Sequence, residues 1–260
     1  ARDSRYGGDR MTLKDKTVLV TGASRGFGRA IAEEMLQLGA RVLALGRAPT
    51  AMDETRASLE AIEGGFEMVT MDVRNEPAVT SYIASLPCLD VVVNNAGIAR
   101  AQPLIETPTQ EIRDILEINV IGAFVVMREA ARKMLHTGGG QIINIASDAA
   151  VRGIARMGPY VASKHALLGL SRSMSLELRQ QGVRVTTFCP GPISTDILGS
   201  GTGSPDAMSP EDLAKTISHL AKVPPEIEIQ ELLVQPILVE AAEVAAKLIQ
   251  PTKAQVAVQV

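Results

Sequence analysis

Short apolar runs alternate along the chain with longer stretches whose apolar positions recur at helical spacing. The runs predict strands at 17–21 (TVLVT), 41–45 (RVLAL), 66–71, 90–94 (DVVVN), 141–146 (QIINIA) and 184–189, and a last short one at 229–235. Between them the spacing predicts helices over 27–38, 53–62, 76–86, 109–135 and 160–180. Strands separated by helices pair in parallel through right-handed crossovers. The runs are nearly continuous in Val, Ile and Leu, as required where helices cover both faces of a sheet. The expected fold class is therefore α/β, with about seven parallel strands and helices on both faces.

The rhythm breaks at 190–210, a stretch rich in Gly, Ser, Pro and Thr that reads as a loop. Ser209 and Pro210 then fit the N-cap and first position of another helix. Residues 237–250 read as one more amphipathic helix, within a C-terminal extension over 237–260. Residues 1–10 read as a polar tail, with Met11 a candidate natural start. With no long linker or repeat, 11–260 is expected to be one domain.

Composition narrows the functional classes. At 46% hydrophobic and 21% charged residues, the chain has material for a sizeable core and is not of disordered type. A net charge of −3 gives no drive toward nucleic acid, and 3% aromatics with no Trp leaves no stacking platform. No run reaches the length of a membrane span, and the N-terminus lacks the apolar segment of a signal peptide. Cys88 and Cys189 are too few for a disulfide framework and suit a reducing, cytoplasmic setting. His136, His165 and His219 lack metal-ligand spacing, so no metal site is expected.

The first strand runs into Thr21-Gly22-Ala23-Ser24-Arg25-Gly26-Phe27-Gly28 and then a helix. Glycines here allow a tight turn and let backbone N–H groups approach a pyrophosphate at the positive helix end. Gly28 leaves room for the helix to pack on the sheet, as in a doubly wound Rossmann fold. The spacing is GxxxGxG, and Gly22, Ser24, Arg25, Gly26, Phe27 and Gly28 are the candidate dinucleotide contacts. The second strand ends in Leu45-Gly46-Arg47, with no carboxylate for a ribose 2′-hydroxyl. Arg25 and Arg47 instead suit a 2′-phosphate, which predicts NADP(H) over NAD(H).

Tyr160 and Lys164 stand one helical turn apart, so they share a face. A neighbouring ammonium favours the phenolate, which makes Tyr160 a candidate general acid–base. Ser147 follows the strand QIINIA, at the carboxyl edge where open α/β sheets bind ligands. It has no His–Asp partnership of the hydrolase kind.

In this order the motifs resemble those of the classical short-chain dehydrogenase/reductase family. They are TGASRGFG at 21–28, Asp72-Val73, Asn94-Asn95-Ala96-Gly97, Asn119, Ser147, Tyr160 with Lys164, and Pro190-Gly191 with Thr195. The likeness extends over about residues 13–236. It implies that Tyr160 gives a proton to a carbonyl oxygen during hydride reduction. Lys164 would lower the Tyr160 pKa and hold the nicotinamide ribose, and Ser147 would orient the carbonyl. Asn119 would hold a water linking Lys164 to solvent. Asp72 and Val73 would flank the adenine. Asn94, Ala96 and Gly97 would line the cofactor cleft, and Pro190, Gly191, Ile193 and Thr195 would grip the nicotinamide end.

The resemblance implies a small carbonyl or alcohol substrate and a homodimer or homotetramer built on the helices at 109–135 and 160–180. Asp148, Val151, Ile154, Ala155 and the 193–208 loop are expected to line the substrate pocket. Arg152 and Arg156 either meet an acidic substrate or face solvent. The alternatives are a 3-oxoacyl thioester reductase on the same scaffold, which Gly138 and Gln181 count against where basic residues are usual, and a non-catalytic dinucleotide-binding scaffold.

Overall fold

The alternation of apolar runs and amphipathic stretches folds as one parallel sheet flanked by helices, in a computed structural model that describes residues 12–195, 197 and 207–237. β1 (Thr17–Thr21) passes through the glycine-rich turn into α1 (Gly26–Gln37). Then follow β2 (Arg41–Gly46), α2 (Pro49–Glu60), β3 (Phe66–Thr70), α3 (Glu76–Ser85) and β4 (Val91–Asn94). Next come α4 (Thr109–Leu116), a π-helical segment (Glu117–Gly122), α5 (Ala123–Thr137) and β5 (Gly140–Ile145). The described chain closes with α6 (Gly158–Leu178), β6 (Val183–Pro190), α7 (Pro210–Ala221) and β7 (Glu231–Val234).

The seven strands lie in the order β3-β2-β1-β4-β5-β6-β7, and every neighbouring pair is parallel. The chain winds outward from β1 to β3, returns to the middle, and winds the other way from β4. The loops leaving β1 and β4 therefore diverge, and a crevice opens at their carboxyl ends.

Two apolar layers explain the unbroken hydrophobic runs. Leu19 packs with Val92, Ile142 and Met127 on one face of the sheet. Val18 and Val20 point the other way, into a layer with Ile31, Met35 and Ile217. A strand residue is thus buried whichever way it points. Each such Leu, Ile or Val stabilises the fold by about 1.5–3 kcal/mol.

Some boundaries differ from those read in the sequence. α2 begins at Pro49 rather than at residue 53, because proline's fixed φ and missing N–H suit the first helical turn. The stretch predicted as one helix over 109–135 carries the π-helical segment around the buried Asn119. Apolar periodicity cannot reveal one inserted residue in a helix. Ser209 caps α7 as its residue type suggests, accepting from the Asp212 N–H at 3.2 Å. The 190–210 loop is closed at its base, where Ile193 bridges Met208 in parallel. The predicted helix over 237–250, beyond its first residue, and the tail at 1–10 lie outside the described residues.

Candidate active site

The glycine turn is shaped by close approach as well as by backbone conformation. Gly22 and Gly26 have φ of 67° and 53°, which side chains other than glycine adopt with strain. A Cβ on Gly28 would lie 2.1 Å from the Gly22 carbonyl oxygen. α1 begins at Gly26 with Arg25 as N-cap and no side-chain capping bond, so its first N–H groups face the crevice.

Two neighbouring asparagines at the end of β4 do different jobs. Asn94 turns inward and donates to the Ala123 carbonyl at 2.9 Å and to Asn144 Oδ1 at 3.3 Å. It is therefore not a wall of the cofactor cleft, as expected of it; strand alternation sends the next residue there instead. Asn95 lines the groove and donates to the carbonyls of Thr21 and Gly22 at 3.0 and 3.3 Å. Thr21 Oγ1 accepts from the Asn95 and Ala96 N–H groups, both at 3.0 Å. The β4 loop is thus bolted to the glycine turn. Sequence reading passed over Asn95, although the Asn pair was itself the signal.

The groove between these loops includes Gly22, Ser24, Arg25, Arg47, Asp72 and Val73. Its carboxylate does not stand alone. Arg74 Nη2 reaches Asp72 Oδ2 at 2.6 Å, and Arg47 Nη1 lies 3.8 Å from the same oxygen. These guanidinium groups, with the Arg74 hydrogen bond foremost, hold the Asp72 carboxyl below its ordinary range. Arg74 was not picked out from the sequence, since an Arg four residues past a strand reads as an ordinary surface cation.

The groove continues into a second cavity through shared walls at Phe27, Asn95, Gly97 and Thr195. Ser147, Tyr160 and Lys164 line this inner cavity, together with Pro190, Gly191 and Ile193. Ser147 stands just past β5 and caps a short 3-10 turn, accepting from the Ala149 N–H at 3.1 Å. Tyr160 occupies the first turn of α6, set by Pro159 at the helix start, and shares the cavity wall with Ser147.

Burial governs both titratable groups. It pushes the Tyr160 hydroxyl up to about 12, against the smaller lowering influence of the neighbouring Ser147 hydroxyl. It brings Lys164 down to about 8. Lys164 was expected to lower the Tyr160 pKa; instead its Nζ donates to the Ile145 carbonyl at 2.8 Å and sits 5.5 Å from the ring centroid. Desolvation outweighs that longer-range attraction.

Asn119 is buried beside the site and held there by its side chain. Its Nδ2 donates to the Ile98 carbonyl at 2.9 Å and to Ser163 Oγ at 3.1 Å. Both amide hydrogens are thereby committed.

The substrate side of the cavity is mostly apolar, with Ala99, Ile154, Met157 and Ile197 on its wall. Val151, expected there, is 51% exposed, and Ala155 also faces solvent. Arg152 meets neither substrate nor open solvent alone: its Nε donates to the buried Asp148 at 3.0 Å. Arg156 is exposed. Among the described residues no helix is long and apolar enough to cross a membrane.

A family model described as short chain dehydrogenase matches residues 16–203. The chain is 36% identical over 186 residues to a sorbitol dehydrogenase of Cereibacter sphaeroides, covering 70% of this chain and 72% of that one. It superposes on an alcohol dehydrogenase from Thermococcus sibiricus, complexed with 5-hydroxy-NADP, with a TM-score of 0.78, 26% identity and coverage of 86% and 98%. It superposes equally on a short chain dehydrogenase from Mycobacterium paratuberculosis bound to NAD, with a TM-score of 0.79, 29% identity and coverage of 86% and 97%. Sheet order, glycine turn and matched sequence agree, and the chain belongs to the short-chain dehydrogenase family of oxidoreductases.

Proposed function

We propose that this chain reduces a small ketone or aldehyde to an alcohol, or runs the reverse oxidation, with NADP(H) and with Tyr160 as the proton donor. The observation that carries the reading is the meeting of Ser147, Tyr160 and Lys164 in a cavity continuous with the groove over the glycine turn. That groove fits a dinucleotide: its floor is glycine where a Cβ would clash, and uncapped helix N–H groups face it.

Gly22, Ser24, Gly26, Phe27 and Gly28 would hold the pyrophosphate, and Arg25 and Arg47 the 2′-phosphate. Ala96, Gly97, Pro190, Gly191, Ile193 and Thr195 would line the way to the nicotinamide. When bound, the nicotinamide supplies or accepts the hydride. Tyr160, protonated through the neutral range by its burial, gives its proton to the carbonyl oxygen. Ser147 holds that oxygen near the phenol, and Lys164 stands behind with a charge eased by burial.

The cofactor preference rests on the two arginines at the groove, since solved relatives carry either dinucleotide. Exposed Ile121 and Leu176 on the two long helical stretches support an assembly of two or four copies, which light scattering tests.

The test is turnover of NADPH with a panel of ketones, aldehydes and an acetoacetyl thioester. Turnover of the neutral carbonyls, lost in Tyr160→Phe while NADPH binding stays, is the expected result. Thioester turnover alone would favour the oxoacyl reading. Binding without any turnover would favour the scaffold reading.

A further inference from the structure

Asp148 is buried one residue from Ser147 and, among the described residues, is the sole carboxylate on the wall of the inner cavity. The reading above gives it no task. Its two oxygens are unequally engaged. Oδ2 accepts from Arg152 through Nε at 3.0 Å and through Nη2 as well, and from Gln235 Nε2 at 3.3 Å. Oδ1 accepts from Ser147 Oγ at 3.0 Å. Arg152 and Gln235 are not themselves cavity walls. Gln235, just past β7, packs behind the wall at Gly191, where a Cβ would collide with its Oε1. The two side chains thus hold Oδ2 from behind and leave Oδ1 to Ser147.

Ser147 has a single hydroxyl proton, and a carboxylate can only accept. That proton lies on Asp148 Oδ1, while the Ala149 N–H fills an acceptor position on the same hydroxyl at 3.1 Å. To hold a carbonyl oxygen beside Tyr160, Ser147 must turn its proton away from Oδ1. A buried carboxylate oxygen then loses its donor, and a buried acceptor left unpaired is costly. A plain ketone brings no hydrogen to replace it. A ketone with a hydroxyl on the neighbouring carbon does. Two oxygens on neighbouring carbons can take the 3.0 Å separation of Ser147 Oγ and Asp148 Oδ1, so one molecule meets both groups.

We propose that Asp148, held by Arg152 and Gln235, is a specificity-determining residue whose Oδ1 accepts from a hydroxyl beside the reacting carbonyl. The substrate is then an α-hydroxy ketone or aldehyde, and a vicinal diol in the reverse direction. The inference rests on the carbonyl-reductase reading of this same site. In reduction the carbonyl carbon takes the hydride and the carbonyl oxygen takes the Tyr160 proton. The neighbouring hydroxyl is neither oxidised nor reduced; it replaces the Ser147 proton on Asp148.

Pairs of molecules in which a methyl group stands in place of that hydroxyl test the proposal on the parent protein. Hydroxyacetone is paired with butanone, and acetoin with methyl isopropyl ketone, for reduction with NADPH. The alcohols of the first pair, propylene glycol and sec-butanol, are compared for oxidation with NADP. A hydroxyl withdraws electrons, which by itself favours hydride attack on the carbonyl and disfavours hydride loss from the alcohol. Recognition by Asp148 favours the hydroxyl member in both directions. The expected preference in kcat/KM is about ten- to a hundredfold each way. A sec-butanol oxidised as well as propylene glycol, or better, overturns the proposal.

Asp148→Ala removes the acceptor, and circular dichroism verifies its fold. The hydroxyl preference should fall in it by about the same ten- to a hundredfold. Merely structural damage lowers both members of a pair alike, so a preference that survives in the folded variant overturns the proposal too. Turnover of every pair without preference would sink only the role of Asp148 and leave the reductase reading standing. Turnover of no carbonyl at all, in a protein that binds NADPH, would sink the reductase reading and this one with it.

Discussion

Asn119 grips Ile98 by both of its backbone groups: Oδ1 accepts from the Ile98 N–H at 2.9 Å, and Nδ2 donates to its carbonyl at 2.9 Å. The π-helical segment around Asn119 brings that amide to the β4 loop, and Ser163 on α6 takes the second amide hydrogen. One side chain therefore joins the loop that walls the groove to the helix that bears Tyr160 and Lys164.

Replacing Asn119 by Leu keeps much of the volume and strands the Ile98 N–H and carbonyl. Each unpaired group costs about 1–3 kcal/mol, so a loss of about 2–6 kcal/mol is expected. Urea unfolding measures it directly. NADPH affinity should fall as well, because the loop that carries Gly97 loses its anchor. A variant within about 0.5 kcal/mol of the parent would mean the loop holds its place without the amide.

Gly28→Ala tests the glycine turn. The added methyl would meet the Gly22 carbonyl at 2.1 Å, and backbone cannot yield as a flexible side chain does. Overpacking of this kind costs about 1–3 kcal/mol, and relief requires the turn to shift. NADPH binding, followed by nicotinamide fluorescence, should weaken at least about tenfold. Unchanged affinity would place the pyrophosphate elsewhere.

On the proposed reading, Arg25 and Arg47 set the preference between dinucleotides. Removing either guanidinium should weaken NADPH by about ten- to a hundredfold and leave NADH nearly unchanged, since charge-assisted hydrogen bonds contribute about 1.5–3 kcal/mol. Arg74→Ala should also weaken NADPH, by a smaller factor, because it exposes the Asp72 charge beside the phosphate position. Equal losses for NADPH and NADH in Arg47→Ala would contradict a phosphate clamp.

Lys164 makes stability depend on pH with a definite sign. Its folded pKa, about 8, lies below its unfolded value, so the unfolded chain binds more protons between about pH 8 and 10. Stability must rise with pH across that window as the buried charge is relieved, and the cost is full below it. Lys164→Met should remove the rise, with a gain at pH 7 on the order of a few kcal/mol relative to the parent. Unfolding midpoints that stay parallel for the two proteins from pH 7 to 10 would show that the ammonium is well solvated.

The order of elements, the parallel sheet and the places of the glycine turn, Ser147, Tyr160 and Lys164 were legible in the sequence alone. They follow from local facts: apolar runs of strand length, helical periodicity, and residue types at fixed separations along the chain. What the tertiary structure decided is where side chains spend their hydrogen bonds and charges. It turned Asn94 inward and Asn95 outward, tied Asn119 to Ile98, paired Arg152 with Asp148, and set Arg74 on Asp72. Each of these contacts joins residues whose meeting depends on a strand's facing, a π-helical inserted residue or a loop's closure. Burial completed the division, since desolvation of Tyr160 and Lys164 depends on what packs over them, and no spacing along the chain encodes it.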